Sequence, residues 1–162
     1  MSRSRKTLIV GGLLLTLWGM SYGLYYAVFA EHQTLDHIGG ALATGFSRAA
    51  EKQMDKAQAA LDDYAAAKFA YGREVDVHSH WSGLALLLIL LGVMFDQVAF
   101  EERRRFFLAV LLVGGAALFP LGVMLQILNR GVFPQILAVA GAGLLTLALG
   151  AVAIGFASRE RS

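Results

Sequence analysis

The chain has no cysteine. This absence excludes disulfides, thiolate zinc sites, iron–sulfur clusters and haem attached covalently through cysteine. Any bound metal must therefore be held by imidazole, carboxylate, carbonyl or thioether groups. Charged residues are also scarce, at 16% of 162 residues against 57% hydrophobic residues. That balance is typical of a small integral membrane protein and unusual for a soluble domain.

Several motif classes are missing as well. The sequence contains no nucleotide-binding fingerprint, metalloprotease motif or Ser/His/Asp arrangement. The net charge is only +2, and the cations are divided among several separate segments without forming one large basic patch in the sequence. Nucleic acid is therefore not an expected partner.

Four apolar runs dominate what is present, at residues 8–30, 81–100, 106–128 and 132–157. Each is about long enough to cross the hydrocarbon core at 1.5 Å per residue. The first run is too long for the apolar part of a signal peptide, and Ala30-Glu31-His32 is a poor cleavage site. The sequence therefore predicts a single membrane domain over residues 1–162, an all-α bundle of four transmembrane helices.

The cations orient this bundle. They concentrate before the first run, between the second and third, and after the fourth: Arg3, Arg5, Lys6, Arg103, Arg104, Arg105, Arg159 and Arg161. The positive-inside rule places these segments in the cytoplasm. We therefore expect an inner-membrane protein with both termini cytoplasmic and residues 31–80 periplasmic.

Residues 41–71, after Gly39-Gly40, predict one long amphipathic helix on the outer side. Apolar residues recur there at spacings of three to five, from Leu42 to Phe69. Residues 31–80 carry eight acidic and five basic side chains, which opposes binding to anionic lipid headgroups. The helix therefore either covers the outer end of the bundle or packs against copies of itself.

The four histidines of the chain lie in or beside this outer segment: His32, His37, His78 and His80. Histidine is costly in hydrocarbon and is a common metal ligand. Carboxylates neighbour three of them in the sequence, and imidazole with carboxylate suits iron, zinc or copper. If the first two spans are neighbours, the two histidine groups meet near the periplasmic face and form a metal or haem site.

The spacing of these residues limits how they act together. On a helix His78 and His80 project about 200° apart, so both face one metal only if the chain there is extended or irregular. His32 and His37 are a poor match to the three- or four-residue spacing of helical metal pairs. Within a helix, therefore, only one of His78 and His80 faces a given metal, and His32 and His37 are candidates for a second ligand. The alternative is that all four are interfacial residues bonded to water and backbone.

Arg130 lies on the same outer side, in the short connection before the fourth run. An arginine there is a natural partner for a haem propionate. The alternative is a simple helix end before Gly131.

Residues 77–83, VHSHWSG, lie at the head of the second apolar run and resemble the helix start of small four-helix membrane proteins of the styrene oxide isomerase type. The resemblance implies an oligomer that binds haem b through His78 and uses the iron as a Lewis acid on an epoxide oxygen. Trp81 stands where that family has a proline, and Leu84-Ala85 replaces its Asn-Gly pair, which supplies the asparagine that contacts substrate. The resemblance therefore implies the cofactor and not the substrate.

Two functions follow from the sequence. The first is binding of haem b, or of a Zn, Cu or Fe ion, for electron transfer, ligand sensing or Lewis-acid isomerase-like chemistry. The second is a non-catalytic accessory or assembly subunit of a larger membrane complex. In both cases we expect the lipid bilayer as surroundings and either identical copies or other membrane subunits as partners.

Overall fold

The computed structural model describes residues 1–159, and these residues form helices joined by short connections. The long helices are α1 (Arg3–Phe29), α2 (Glu31–Ala50), α3 (Met54–Met94), α4 (Glu102–Leu128) and α5 (Val132–Arg159), and a 3-10 turn over Phe95–Gln97 follows α3. No strand occurs in this part of the chain. The all-α prediction is confirmed.

Helices α1, α3, α4 and α5 are long and apolar enough to cross a membrane. The four predicted apolar runs coincide largely with these helices, so the chain has the character of a multi-pass membrane protein. Arg161, counted above among the cytoplasmic cations, lies outside the described residues.

The described chain divides into two compact units. Unit 1 contains Met1–Met20 and the chain from Asp76 onward, and unit 2 contains Ser21–Val75. Helices α1 and α3 each contribute residues to both units. The sequence analysis assigned all of these residues to a single domain.

Unit 1 has an apolar core to which its four long helices contribute. Its buried members are Leu8, Leu88, Phe95, Val98, Ala109, Leu112, Ala116, Leu145, Ala148 and Val152. Several large apolar side chains of α1 point away from this core: Leu13, Leu14 and Leu17 are 54–65% exposed. Exposed leucines of this kind are typical of helices that are surrounded by lipid.

Glycines set the closest helix contacts in unit 1. A Cβ atom at Gly122 or Gly141 would collide with the backbone of the facing helix, at Ala138 and Phe119 respectively. A Cβ at Gly12 would lie 2.7 Å from Cγ1 of Ile89. Helices α4 and α5, and α1 and α3, therefore approach as closely as they do because these positions lack a side chain.

Unit 2 contains α2 and the first part of α3 as an antiparallel hairpin. Its buried residues are small: Ala41, Gly45 and Ala57. Gly45 approaches Leu61 of the facing helix, since a Cβ there would lie 3.4 Å from Cδ2 of Leu61. The remaining surface of this hairpin mixes charged side chains, such as Asp55 and Lys56, with small and apolar ones.

The prediction of one continuous helix over residues 41–71 is wrong, because α2 ends at Ala50. The amide of Gln53 donates to the carbonyl of Arg48, and the amide of Lys52 donates to that of Ala49, both at 2.9 Å. Lys52 has φ = 60°. This is a Schellman motif with lysine at the position where glycine is usual. The expected break at Gly39-Gly40 is also wrong, since α2 continues through both glycines.

The structure also corrects the start of the second span. The charged first part of α3 and the apolar run that follows form one helix, Met54–Met94, whereas the sequence predicted a separate helix beginning at residue 81. No proline interrupts Met54–Met94, and Gly72, the only glycine before the apolar run, is tolerated within a long helix. Residues 77–83 therefore lie inside a helix and not at its start.

Candidate functional site

His78 lies within α3, and its ring contacts α1. Its Nδ1 atom is 3.0 Å from the backbone oxygen of Gly19. A carbonyl oxygen can only accept a hydrogen bond, so Nδ1 carries the proton and donates it. In the neutral ring Nε2 then holds a free lone pair, and the His78 side chain is exposed on the surface of the chain.

Gly19 makes this contact possible. It is buried, and a Cβ atom there would lie 3.0 Å from Cβ of Trp81. Trp81 is itself buried and packs edge-to-face on Trp18, with ring centroids 6.0 Å apart. The absence of a side chain at Gly19 thus lets α1 come close enough to α3 for its carbonyl to accept the imidazole proton.

A small apolar cavity lies next to Trp81. It has a volume of about 260 Å³ and is lined by Leu15, Trp18, Trp81, Ala117 and Leu121. Pockets for organic ligands usually have about 300–1,000 Å³. The cavity is therefore small for an organic cofactor, and His78 is not among its lining residues.

His80 contacts a different neighbour. Its Nδ1 donates to the backbone oxygen of Asp76 in the preceding turn, and its ring packs edge-on against Phe119 of α4, with centroids 4.7 Å apart. His78 therefore contacts α1 and His80 contacts α4. Because residues 78–80 are helical, the predicted divergence of the two rings is confirmed.

The other two histidines lie in unit 2 and pair with carboxylates. His32 is 3.4 Å from Asp36 one turn later, and its side chain is 88% exposed. Nε2 of His37 lies 3.1 Å from Asp63 and joins α2 to α3. Among residues 1–159, no group of three or more His, Cys, Asp or Glu side chains is arranged to hold a metal ion. The prediction that His32 or His37 supplies a second ligand stays a prediction.

Arg130 lies in the connection between α4 and α5, and its side chain is exposed. The preceding Asn129 closes the turn, since its Oδ1 accepts a hydrogen bond of 2.8 Å from the amide of Gly131. These contacts favour a helix end at this position. A role for Arg130 at a haem propionate stays a prediction.

One polar cluster in unit 1 was not identified from the sequence. Ser4 is fully buried, and its amide and hydroxyl donate to the two carboxylate oxygens of Glu102 at 2.9 and 3.0 Å. Arg105 pairs with Glu102 at 3.3 Å and with Asp96 at 3.7 Å, and Arg5 pairs with Asp96 at 3.6 Å. A serine beside a terminal arginine gives no signal that it has a partner 98 positions later.

A second polar contact, in unit 2, was also missed. The hydroxyl of Tyr22 donates to the carboxylate of Glu74. Tyr26 packs against Tyr71, with centroids 6.4 Å apart, and the Tyr71 hydroxyl donates to Glu31 at 3.4 Å. The tyrosines at the end of α1 therefore make specific contacts with side chains of α2 and α3.

Together these features define a helical protein with four helices able to cross a membrane and an exposed imidazole, His78, whose ring donates to a backbone carbonyl of a neighbouring helix. Comparison with protein-family models, with curated proteins and with solved structures found no match to this chain. The chemistry of the site must therefore follow from its own residues.

Proposed function

We propose that this chain is a multi-pass inner-membrane protein that binds haem b through His78, near the periplasmic face. The concentration of cations at one end of the spans supports cytoplasmic termini and a periplasmic segment over residues 31–80. In that orientation His78 lies at the outer end of the apolar part of α3.

The hydrogen bond from His78 to Gly19 is the observation that carries this proposal. A histidine that binds a metal almost always donates its other ring N–H to a carbonyl, a carboxylate or water. The 3.0 Å bond to Gly19 fixes Nδ1 as the donor, orients the ring and leaves Nε2 as the ligand atom.

The donor set fits haem better than a bare ion. Zinc or another bound ion usually takes three or four protein ligands, and no group of three such side chains able to hold one occurs in residues 1–159. Haem needs only one imidazole from the protein, and it supplies an open position for ligand sensing or Lewis-acid chemistry. Since His78 is exposed, we infer that lipid or a second copy of the chain covers the rest of the haem.

An absorption spectrum tests the proposal. We expect detergent-purified protein, isolated as such or after addition of haem, to show a Soret band that shifts with dithionite. His78→Ala should lose this band, because it removes the only proposed axial ligand. His80→Ala is the matched control: it lies two residues away on the same helix and should retain the band.

The folded state has to be checked alongside the spectrum. Equal helix content and equal elution volume of both variants would show that the lost band reports the ligand and not misfolding. A folded wild-type protein that stays colourless with added haem contradicts the proposal. A band retained in His78→Ala but lost in His80→Ala would show that His80, and not His78, is the ligand.

The hairpin of unit 2 favours a second candidate, an accessory or assembly subunit. Phe46 and Met54, on either side of its turn, are 69% and 65% exposed beside exposed charged residues such as Glu51 and Lys52. Exposed apolar side chains in such surroundings often mark contact sites for another protein. Under this alternative a colourless protein co-purifies with a larger membrane complex, and Phe46→Ser releases it while Ala49→Ser, an exposed position on the same helix, does not.

A further inference from the structure

The cations at the end of unit 1 that contains Ser4 and Glu102 fall into two groups. Arg5 and Arg105 are partly buried and pair with Asp96 or Glu102. Four others are exposed and take part in no ion pair among residues 1–159: Arg3, Lys6, Arg103 and Arg104. Two of these four, Arg3 and Lys6, lie at the mouth of a groove.

This groove runs between α1 and α4 and has a volume of about 450 Å³. Arg3 and Lys6 line its polar end, and Val10, Gly11, Phe106 and Val113 line its apolar part. Gly11 keeps α1 near α4, because a Cβ atom there would lie 2.7 Å from Cγ2 of Val113. None of the carboxylates in the described part of the chain lines this groove, whereas Glu101 lines the neighbouring groove beside Arg103 and Arg104.

We propose that the groove between α1 and α4 binds one anionic phospholipid. Arg3 and Lys6 bind the phosphate of its headgroup, and an acyl chain lies along Val10, Gly11 and Val113. Basic pockets between spanning helices on the cytoplasmic side are the usual sites for such lipids. The planar guanidinium of Arg3 offers two parallel N–H donors to the phosphate, and the ammonium of Lys6 adds a second positive charge.

The shape of the groove favours a lipid over a free anion. An inorganic phosphate would contact the two cations and gain nothing from the apolar part, where Val10 and Phe106 are each 42% exposed. An acyl chain covers these side chains at the depth where hydrocarbon surrounds α1 and α4. The two cations therefore match the headgroup of an anionic phospholipid, and the apolar part of the groove matches its acyl chain.

Native mass spectrometry of the delipidated full-length protein tests the site with dioleoylphosphatidylglycerol as the probe. Dioleoylphosphatidylcholine serves as the neutral lipid, and inorganic phosphate in large excess serves as the competitor. We expect the first tightly bound lipid to be phosphatidylglycerol, and phosphate not to displace it. Since each basic residue usually contributes a similar amount of binding free energy to an anionic lipid, Arg3→Gln/Lys6→Gln should bind phosphatidylglycerol about 30-fold more weakly.

Two further variants separate the groove from general surface charge. Arg103→Gln/Arg104→Gln removes the same charge from the neighbouring groove that Glu101 lines, and should bind phosphatidylglycerol as the wild type does. Val10→Trp fills the apolar part without changing charge and should also lose the bound lipid. Helix content and elution volume, measured for every variant, identify any that misfolds.

Three results would overturn the proposal. Equal losses in both double variants would show a diffuse surface potential. Displacement by phosphate, or unchanged binding by folded Val10→Trp, would show a site for the headgroup charge alone. A lipid-insensitive dimer that Arg3→Gln/Lys6→Gln dissociates would show that a second copy of the chain occupies the groove.

Discussion

Units 1 and 2 pack their helices in the same way but differ in the side chains that they expose. In both, helices approach through small residues, such as Gly122 and Gly141 in unit 1 and Gly45 and Ala57 in unit 2. Outside those contacts unit 1 exposes mainly apolar side chains such as Leu13 and Phe107, whereas the hairpin of unit 2 exposes charged side chains such as Asp55 and Lys56 beside small and apolar ones. The residues at a helix–helix contact therefore do not indicate whether water or lipid surrounds the pair. The residues on its outer surface do.

The difference predicts where stability resides. Unit 1 combines backbone-to-backbone contacts, a core of buried apolar side chains and a buried serine bonded to Glu102. Unit 2 relies on three small buried residues and on exposed pairs such as His37 with Asp63. Exposed ion pairs contribute little. We therefore expect substitutions at unit 1 contacts to cost more than those in unit 2.

The largest effect should come from Gly122→Ala in α4. The new methyl group would collide with the backbone of Ala138, and we expect a loss of about 3 kcal/mol in the free energy of unfolding in mixed micelles. Gly114→Ala in the same helix is the control, because its Cβ meets nothing within 4 Å. If both variants lose the same stability, close approach of α4 and α5 is not the reason for glycine at residue 122.

Glu102→Ala should have the next largest effect in unit 1. It leaves the buried amide and hydroxyl of Ser4 without their acceptors, which costs about 2 kcal/mol. Glu101→Ala, at an exposed neighbouring position, should change stability by less than about 0.5 kcal/mol. The same unfolding measurement checks both variants, and a loss at Glu101 equal to that at Glu102 would contradict a specific role for the Ser4 bonds.

Lys52→Gly in unit 2 should be stabilising. Lysine pays a steric cost at φ = 60° that glycine does not, so we expect a gain of up to about 1 kcal/mol, seen as slower hydrogen exchange in α2. Lys56→Gly, in the first turns of α3, should act in the opposite direction by about 1 kcal/mol. A loss in both variants would show that Lys52 has a role beyond ending the helix.

The smallest effect should come from Asp63→Ala. It removes the pair with His37, whose two side chains are each 55% exposed, and so costs about 0.5 kcal/mol. Asp62→Ala removes a hydrogen bond to Gln58 within the same helix and is the control for changed charge and helix propensity. Faster hydrogen exchange in α2 for Asp63→Ala alone would confirm that this pair joins the two helices.

The sequence predicted what depends on composition and missed what depends on contact. Long apolar runs located the four helices able to span a membrane, since their length has a simple physical requirement. The turn at residues 51–53 was missed because a Schellman motif is usually recognised in a sequence by its glycine. Here Lys52 occupies that position. The break expected at Gly39-Gly40 is absent because glycine does not always end a helix, and α2 continues through both residues.

The candidate site likewise has one feature that the sequence predicted and one that it could not predict. Helical geometry alone separated His78 from His80, and their contacts with α1 and α4 agree. The bond from His78 to Gly19 was not predictable, because it joins residues 59 positions apart and its acceptor is a backbone oxygen. An alternation of polar and apolar residues records which face of a helix is buried, but not which carbonyl it meets.

The pairing of Ser4 with Glu102 has a consequence for the order of synthesis. The partners are separated by 98 residues, and a ribosome needs about 5–20 s to add that many at its usual rate. During this interval the first turn of α1 exists without the acceptor that satisfies it. The first turn of α1 therefore cannot make these bonds until α4 has begun to form, long after α1 itself is complete.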